Sequence, residues 1–338
     1  MSLLVLLLPV LLLPPGGSTS PISCYNDLGA PVDRFYVYKL PRAVGGRSEE
    51  EGLEYLLLEK GSEAWAKGSV NINHTNGAVG RTVVVVLDKE QGFWLVHSTP
   101  HFPPPQQAGN YSYPDTGLTN GQSFLCVTYP LERFHTIEQL HINQPHVYDC
   151  HVPEALASLV PSLSTLCRKS RPSQRAPPLY DKPWLSPFQA PPPLTPVSNR
   201  SVVLNSSEGT AFISFAKGAA FNNDLYHSWV ARELHCPLLV QFWVRSTGVL
   251  PSDCSEGVTV LNIQLLSPGP SPSFNNTVDH SKWAVSPEGA QAGGGWVCVG
   301  DINRNHAEER RGGGTVCLQD PLVWKAYRSA ALQCQDCE

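Results

Sequence analysis

Strand-length apolar runs alternating with short helix signals place this chain in the mixed α/β (α+β) class. Two further observations support that class: a proline-rich stretch splits the sequence into two halves, and no fixed-period repeat runs through either half, which excludes a solenoid. The 338 residues are 41% hydrophobic and 9% aromatic, enough for one large domain or two ordinary ones. Charged residues make up only 16%, well below the usual ~25%, which argues against a disordered or coiled-coil chain. The 31 prolines, nearly double the usual share, suit a loop-rich extracytoplasmic fold.

Taken in order, residues 1–20 read as a secretory signal. An apolar run at 3–13, too short to cross a bilayer, is followed by small residues at 16–20, and only the free amino terminus supplies the usual positive charge before it. Residues 21–167 form the N-terminal half. Within it, VVVVL (83–87) and FWLV (93–96) predict a hairpin that delivers His97 at a strand end. Residues 153–166 predict a short helix with Pro153 at its first position. Residues 168–200 contain RPSQRAPPLYDKPWLSPFQAPPPLTP, a spacer that sustains neither helix nor central strand. Residues 201–338 form the C-terminal half. It opens with a strand at 211–215, then Asp224 as a cap before a helix whose apolar face carries Leu225, Trp229 and Ala231. Strands are expected at 238–244, 258–265, 280–285 and 296–299. A last helix is capped by Asp320 and begun by Pro321.

Ten cysteines and five Asn-x-Ser/Thr sequons, at Asn73, Asn110, Asn199, Asn205 and Asn275, point to oxidative folding and surface glycosylation behind that signal. Past residue 20 the apolar stretches are strand-sized, so a soluble, lumenal protein is expected, with no membrane span. The formal charge is −5, and protonating all eleven histidines would bring it to +6. In an acid compartment such a chain can hold a polyanion. Cys298 and Cys317 bracket a glycine-rich loop and are expected to close it; Cys254 with Cys334, and Cys24 with Cys150, are candidate long-range pairs. The one CxxC, Cys334 to Cys337, has no second half nearby, so no metal site and no cofactor is expected.

In DHSKW (279–283), strand alternation puts His280 and Lys282 on one face and turns Ser281 away. An imidazole beside an ammonium group suits phosphoryl chemistry: the ring attacks phosphorus or protonates a leaving oxygen while the cation offsets developing charge. An exposed strand pair produces the same tripeptide, so HxK alone decides nothing. His97 and His101 have zincin-like spacing, but Pro100 lies between them and the glutamate is missing. No Walker loop, dinucleotide fingerprint or nucleophile elbow occurs. Arg310, Arg311 and the glycines at 312–314 fit either a cationic backbone nest for phosphate or a disulfide-closed surface loop.

DHSKW together with CVGDINRNHAEERRGGGTVC (298–317) resembles the deoxyribonuclease II family. The resemblance extends to SCYNDLGAPVDRFYVYKLP (23–41), GLEYLLLE (52–59), QGFWLVHSTPHFPP (91–104), NGQSFLCVTY (120–129), FAK (215–217), QFW (241–243) and LPSDCS (250–255). It implies a phospholipase D-like pseudo-dimer of two mixed-sheet halves, each giving one HxK histidine to a shared site. It also implies metal-independent cleavage of double-stranded DNA at acid pH in lysosomes, with 3′-phosphate products and a role in degrading DNA of dead or engulfed cells. His280 and Lys282 match the family's second HxK. Asn303 matches an amide that orients phosphate or histidine, or that shapes a turn. His97 matches a histidine in substrate contact or site support.

Two departures stand out. The family's first HxK, in a GHTKG run, is missing where VGRT (79–82) passes directly into VVVVLDKEQGFWLVHS, so the N-terminal half is expected to be truncated. Ala284 stands where relatives often carry cysteine. With one HxK left, two alternatives stand beside the active enzyme: a DNA-binding glycoprotein impaired in turnover, and a homodimer in which two copies of His280 rebuild the site.

Overall fold

The computed structural model describes residues 21–42, 44, 52–82, 85–102, 111–136, 142–143, 151–161, 163, 198–289 and 294–337. Residues 1–20, expected as a signal, Asn110, Cys150 and the expected spacer up to residue 197 lie outside the described residues.

The N-terminal half carries β1 (Cys24–Tyr25), β2 (Pro31–Val32), β3 (Arg34–Lys39), β4 (Tyr55–Glu59), β5 (Ala66–Lys67), β6 (Val85–Leu87), β7 (Gln91–His97) and β8 (Gln122–Pro130), then α1 (Leu131–Phe134) and α2 (Glu154–Ala157). Six of these strands form an antiparallel sheet in the order β5-β4-β3-β8-β7-β6. The hairpin read at 83–96 is β6 and β7, paired Val85 to Trp94 and Leu87 to Gly92. Of the helix expected over 153–166, α2 is one turn with Pro153 one position before it, and residues 161 and 163 are again helical.

The C-terminal half opens at β9 (Asn199–Asn205), within the last residues of the expected spacer. It continues with β10 (Ala211–Lys217), a π-helical turn (Tyr226–Val230) running into α3 (Ala231–Glu233), β11 (Leu238–Gln241), β12 (Val260–Leu266) and β13 (Phe274–Asn275). The remainder is β14 (Trp283–Val285), β15 (Trp296–Gly300), α4 (His306–Glu309), β16 (Gly313–Gln319), α5 (Pro321–Ala330) and β17 (Ala331–Cys334). The sheet order is β13-β12-β11-β14-β15-β16-β10-β9, with β17 also on β12. Asp320 Oδ1 accepts the N–H groups of Leu322 and Val323, so α5 starts where its cap and proline place it.

Strand alternation builds three cores. Tyr36, Tyr38, Val127 and Tyr129 of one sheet meet Trp283, Val285, Val297, Val299, Val316 and Leu318 of the other, and α5 adds Val323 and Tyr327. The opposite faces are covered separately. Phe35, Val37, Phe124 and Cys126 lie in one outer core, and Phe215, Val240, Ala284 and Cys298 in the other. The α/β class stands, with most of the regular structure in sheet.

The two sheets repeat one register. Lys39 faces Gln122 and Phe35 faces Cys126 across β3 and β8; Lys217 faces Gly313 and Ile213 faces Cys317 across β10 and β16. Leu95 opposes Cys126 as Cys298 opposes Cys317. After β7 the Ser98 hydroxyl accepts the Ser123 N–H at 3.0 Å, and after β15 Asp301 Oδ1 accepts the Gly314 N–H at 2.8 Å. The ends at Lys39, His97, Lys217 and Gly300 therefore stand at equivalent places.

Two expected disulfides are corrected. Cys24 bonds Cys126, not Cys150, because β1 lies against β8, where the Cys24 N–H donates to Thr128 Oγ1 at 3.0 Å. Cys254 bonds Cys337, not Cys334: pairing of β17 with β12 fixes Cys334 opposite Ile263, and the chain end beyond that strand returns to Cys254. Cys334 is a free, half-buried thiol, as is Cys236. Cys298 and Cys317 are bonded across directly opposed positions of β15 and β16.

Candidate active site

The segment before β14 crosses from one half to the other. Gly121 N–H donates to Val278 O at 2.9 Å and His280 N–H donates to Gly121 O at 2.8 Å. One step further the Lys282 N–H donates to Ser123 Oγ at 3.0 Å. A Cβ at position 121 would collide with the Asp279 carboxylate, so only glycine lets the two chains approach this closely. Asp279 is fully buried. Tyr38 donates its hydroxyl to that carboxylate from β3, and Ser281 adds its N–H at 3.0 Å and its hydroxyl at 2.7 Å. Ser281 is thereby turned toward Tyr38, and His280 and Lys282 fall on the other side.

His280 is half-buried, its ring centroid 3.7 Å from that of Trp243. Burial, then the charges of Lys282 and Lys39, hold it at about 4. Lys282 is 5% exposed and its Nζ donates to the His280 carbonyl at 2.9 Å. Burial lowers it to about 8 against the pull of Asp301, Glu308 and Asp279. His97 approaches from the end of β7, stacked on Phe124 at 5.7 Å and edge-on to Phe102 at 5.3 Å. Burial and the Lys282 charge bring it to about 4, with the Thr99 backbone acting the other way. One buried ammonium therefore acts on both rings.

Two more lysines brace the site. Lys39 Nζ donates to the carbonyls of Gly117 and Asn120 at 2.7 Å each, and to that of Leu118. Lys217 Nζ donates to the carbonyls of Glu308 at 2.7 Å, Glu309 at 3.0 Å and Arg311 at 2.7 Å. Burial lowers Lys39 to about 7 and Lys217 to about 8. At pH ~5 the lysines stay charged while His97 and His280 stay mostly neutral, so counting all eleven histidines as charged overstates the acid-side gain. A neutral imidazole with an available lone pair, next to a dry ammonium, is arranged to attack an electrophile that carries anionic oxygen.

The other expected residues divide. Asn303 Oδ1 accepts the Trp243 N–H at 3.2 Å, so it reaches His280 through the indole. Arg311 is exposed and paired with Glu308 at 2.9 Å, close enough to Lys282 to lower its proton affinity. Arg310 is exposed and donates to Asn222 Oδ1 at 3.0 Å. The phosphate nest is overturned. Gly313 and Gly314 run in β16 opposite Lys217 and Ala216, none of the three glycines has positive φ, and the Gly314 N–H is held by Asp301. Of the sequons described, Asn73, Asn205 and Asn275 are exposed and Asn199 is half-buried.

Trp243, Lys39 and Asp279 lie inside the runs QFW, RFYVYK and DHSKW, but the sequence does not single them out as site residues. A lone lysine ending an apolar strand in both RFYVYK and AFISFAK is the signal that points to Lys39. A cavity of about 520 Å3 lies elsewhere, lined by Asp224, His227, Asp253 and Arg304 among others, and by none of His97, His280 and Lys282. Among the described residues no group of three His, Cys, Asp or Glu side chains is placed to hold a metal ion, and no helix is long and apolar enough to cross a membrane.

Comparison with known proteins bears on this arrangement. The family model for Deoxyribonuclease II matches residues 23–84 and 83–337, in two parts that meet at residues 83–84. Deoxyribonuclease-2-alpha of Mus musculus is 39% identical over 356 aligned positions, covering 94% of each chain. Deoxyribonuclease-2-alpha of Rattus norvegicus is 40% identical, over 94% of this chain and 95% of the relative. Deoxyribonuclease-2-beta of Homo sapiens is 30% identical, over 94% and 92%. A model match over nearly all of the described chain, with relatives of this identity at full length, makes the chain a member of the deoxyribonuclease II family.

Proposed function

We propose that this chain is a deoxyribonuclease that cleaves double-stranded DNA at acid pH without a divalent ion, leaving 3′-phosphates, with His280 as nucleophile. The observation that carries this is the half-buried His280 imidazole, kept neutral beside the buried Lys282 ammonium. The neutral ring attacks the scissile phosphorus, an N–P bond forms and the bond to the 5′ oxygen breaks. That oxygen takes its proton from a second imidazole, and within one chain His97 is the ring that shares the Lys282 field. Water then attacks phosphorus, gives its proton to His97 and releases a 3′-phosphate from His280. Both rings lie near 4, and a bound phosphodiester adds negative charge that raises them. The fraction of pairs with one ring neutral and one protonated therefore grows as pH falls from neutral toward ~5. Lys282 supplies the fixed positive charge, and exposed Arg311 and Arg245 favour nonspecific contact with the DNA backbone.

Residues 1–20, three disulfides among the described residues and exposed sequons support passage through the secretory pathway to the lysosome, and degradation there of DNA from dead or engulfed cells. A second reading rests on the single HxK in 338 residues: the site is completed by a second chain, or binds DNA without turnover. Supercoiled plasmid incubated at pH ~5 with EDTA tests all three. Nicked product with 3′-phosphate ends, at a rate per chain independent of protein concentration, is expected. A rate per chain that climbs with concentration favours the two-chain site. Retarded but uncut plasmid rejects the enzyme.

A further inference from the structure

The geometry points to Trp243 as a positioning residue for His280, clamped by Asn303 and Asn305 so that its indole packs against the imidazole with the ring planes tilted by 46°; this rests on the reading of His280 as the reacting group. The ring separation of 3.7 Å is far shorter than the other aromatic contacts among the described residues, the next of which is 5.1 Å. Trp243 lies just past the end of β11, where no ladder holds the backbone, yet its peptide groups are fixed at both ends. Its N–H donates to Asn303 Oδ1 at 3.2 Å. Its carbonyl accepts from Ser246 Oγ at 3.4 Å, and that hydroxyl accepts from Asn305 Nδ2 at 3.0 Å. Asn305 is itself fixed, since its Oδ1 caps α4 through the Glu308 N–H at 2.9 Å. The loop between β15 and α4 thus holds the Trp243 backbone through Asn303 Oδ1 and, by way of Ser246, through Asn305 Nδ2. The guanidinium of exposed Arg245 lies 6.0 Å from the indole ring.

The charged groups around His280 are Lys282 on its own segment and Lys39 from β3. Asp279 lies beneath, sealed by Tyr38 and Ser281, and Arg245 stands at the indole. Burial is the largest influence lowering His280, and the indole is its nearest aromatic cover. Two consequences follow. The indole keeps water from one side of the imidazole, so the ring enters the reaction neutral. It also restricts ring rotation, so the attacking nitrogen faces one direction.

The test reads His280 directly. In protein labelled at its histidine rings, with each resonance assigned by substitution, His280 is titrated by NMR in the wild type and in Trp243→Ala, Trp243→Phe and Asn303→Ala. Trp243→Ala is expected to move the midpoint from about 4 to roughly 5–6, Trp243→Phe to leave it near the wild-type value, and Asn303→Ala to fall between. In parallel, kcat for plasmid cleavage is expected to fall at least roughly tenfold in Trp243→Ala with KM little changed, and its pH profile to follow the NMR midpoint. A His280 midpoint unchanged in both Trp243→Ala and Asn303→Ala overturns the inference; if Trp243→Ala does not fold, the Asn303→Ala titration decides alone. The NMR readout needs no DNA. A shifted midpoint in a protein whose His280→Ala variant still cuts would therefore reject the reaction reading and leave the positioning role standing.

Discussion

Replacing His97 by Phe removes one titrating ring from the end of β7 and leaves an aromatic of similar size against Phe102 and Phe124. In the folded chain the imidazole sits at about 4, held down first by burial and then by Lys282, against an ordinary value near 6.5. The unfolded chain therefore binds a proton more readily between those values. The stability contributed by the neutral ring is complete above pH ~6.5 and is lost as pH falls toward ~4. A displacement of this size corresponds to about 3 kcal/mol between pH ~7 and pH ~4, and solvent screening of a half-buried ring reduces it to about 2 kcal/mol. Burial raises Asp279 and Asp301, so these two acids work in the opposite sense and offset part of the wild-type slope. The difference between wild type and His97→Phe isolates the histidine. Urea unfolding at both pH values is the assay. The variant should lose about 2 kcal/mol less than the wild type on acidification, and parallel losses would refute the half-buried, neutral His97 on which the site rests.

Three further outcomes follow from the same contacts. Arg304→Met should cost about 3–5 kcal/mol in urea unfolding, because it strands the Asp224 carboxylate that accepts from the guanidinium at 2.7 and 2.9 Å; a cost below ~1 kcal/mol would contradict that pairing. Replacing Cys24 and Cys126 together by Ala opens a link spanning 102 residues and should lower stability by about 2–5 kcal/mol, with an unchanged urea midpoint as the contrary result. Lys217→Met should speed amide hydrogen exchange selectively at residues 308–311, where the ammonium holds the carbonyls of Glu308, Glu309 and Arg311; exchange no faster there than elsewhere would contradict the brace.

Local signals in this chain read well where a few neighbouring residues decide the outcome. The β6–β7 hairpin follows from two apolar runs and a polar turn. Helix α5 follows from Asp320 and Pro321, whose cap and fixed φ act within one turn. Cys298 and Cys317 meet because two adjacent strands carry them to the same rung. Readings failed where partners come from far along the chain. Cys24 finds Cys126 because β1 rests on β8, a neighbour that no spacing rule reports, and Cys334 is held by β12 while the tail beyond it reaches Cys254. The glycines at 312–314 look like a nest in isolation, but Gly313 and Gly314 run in β16 as a strand that takes close contact from Asp301 and Phe215, and Gly312 lies against the Asn143 backbone.

The site shows the same division. His280 and Lys282 are legible as a motif, and alternation places them on one side of the segment. Their setting is not legible: Gly121 and Tyr38 stand far from DHSKW in sequence and reach it only through the contact between the halves, while Trp243 is brought to it by the pairing of β11 with β14. Asn303 is visible as a polar residue in a loop, but its hydrogen bond to the Trp243 backbone is a tertiary fact.

The proposed reaction passes through a covalent bond between His280 and the 3′-phosphate side of a cut strand, formed without a divalent ion. An oligonucleotide duplex labelled at the 5′ end of one strand, mixed with the protein at acid pH in EDTA and quenched in alkali, should leave label on the denatured protein. The same duplex labelled at the 3′ end of that strand should not, and His280→Ala should retain neither. Label retained by His280→Ala, or carried from the 3′ end, would contradict the assignment.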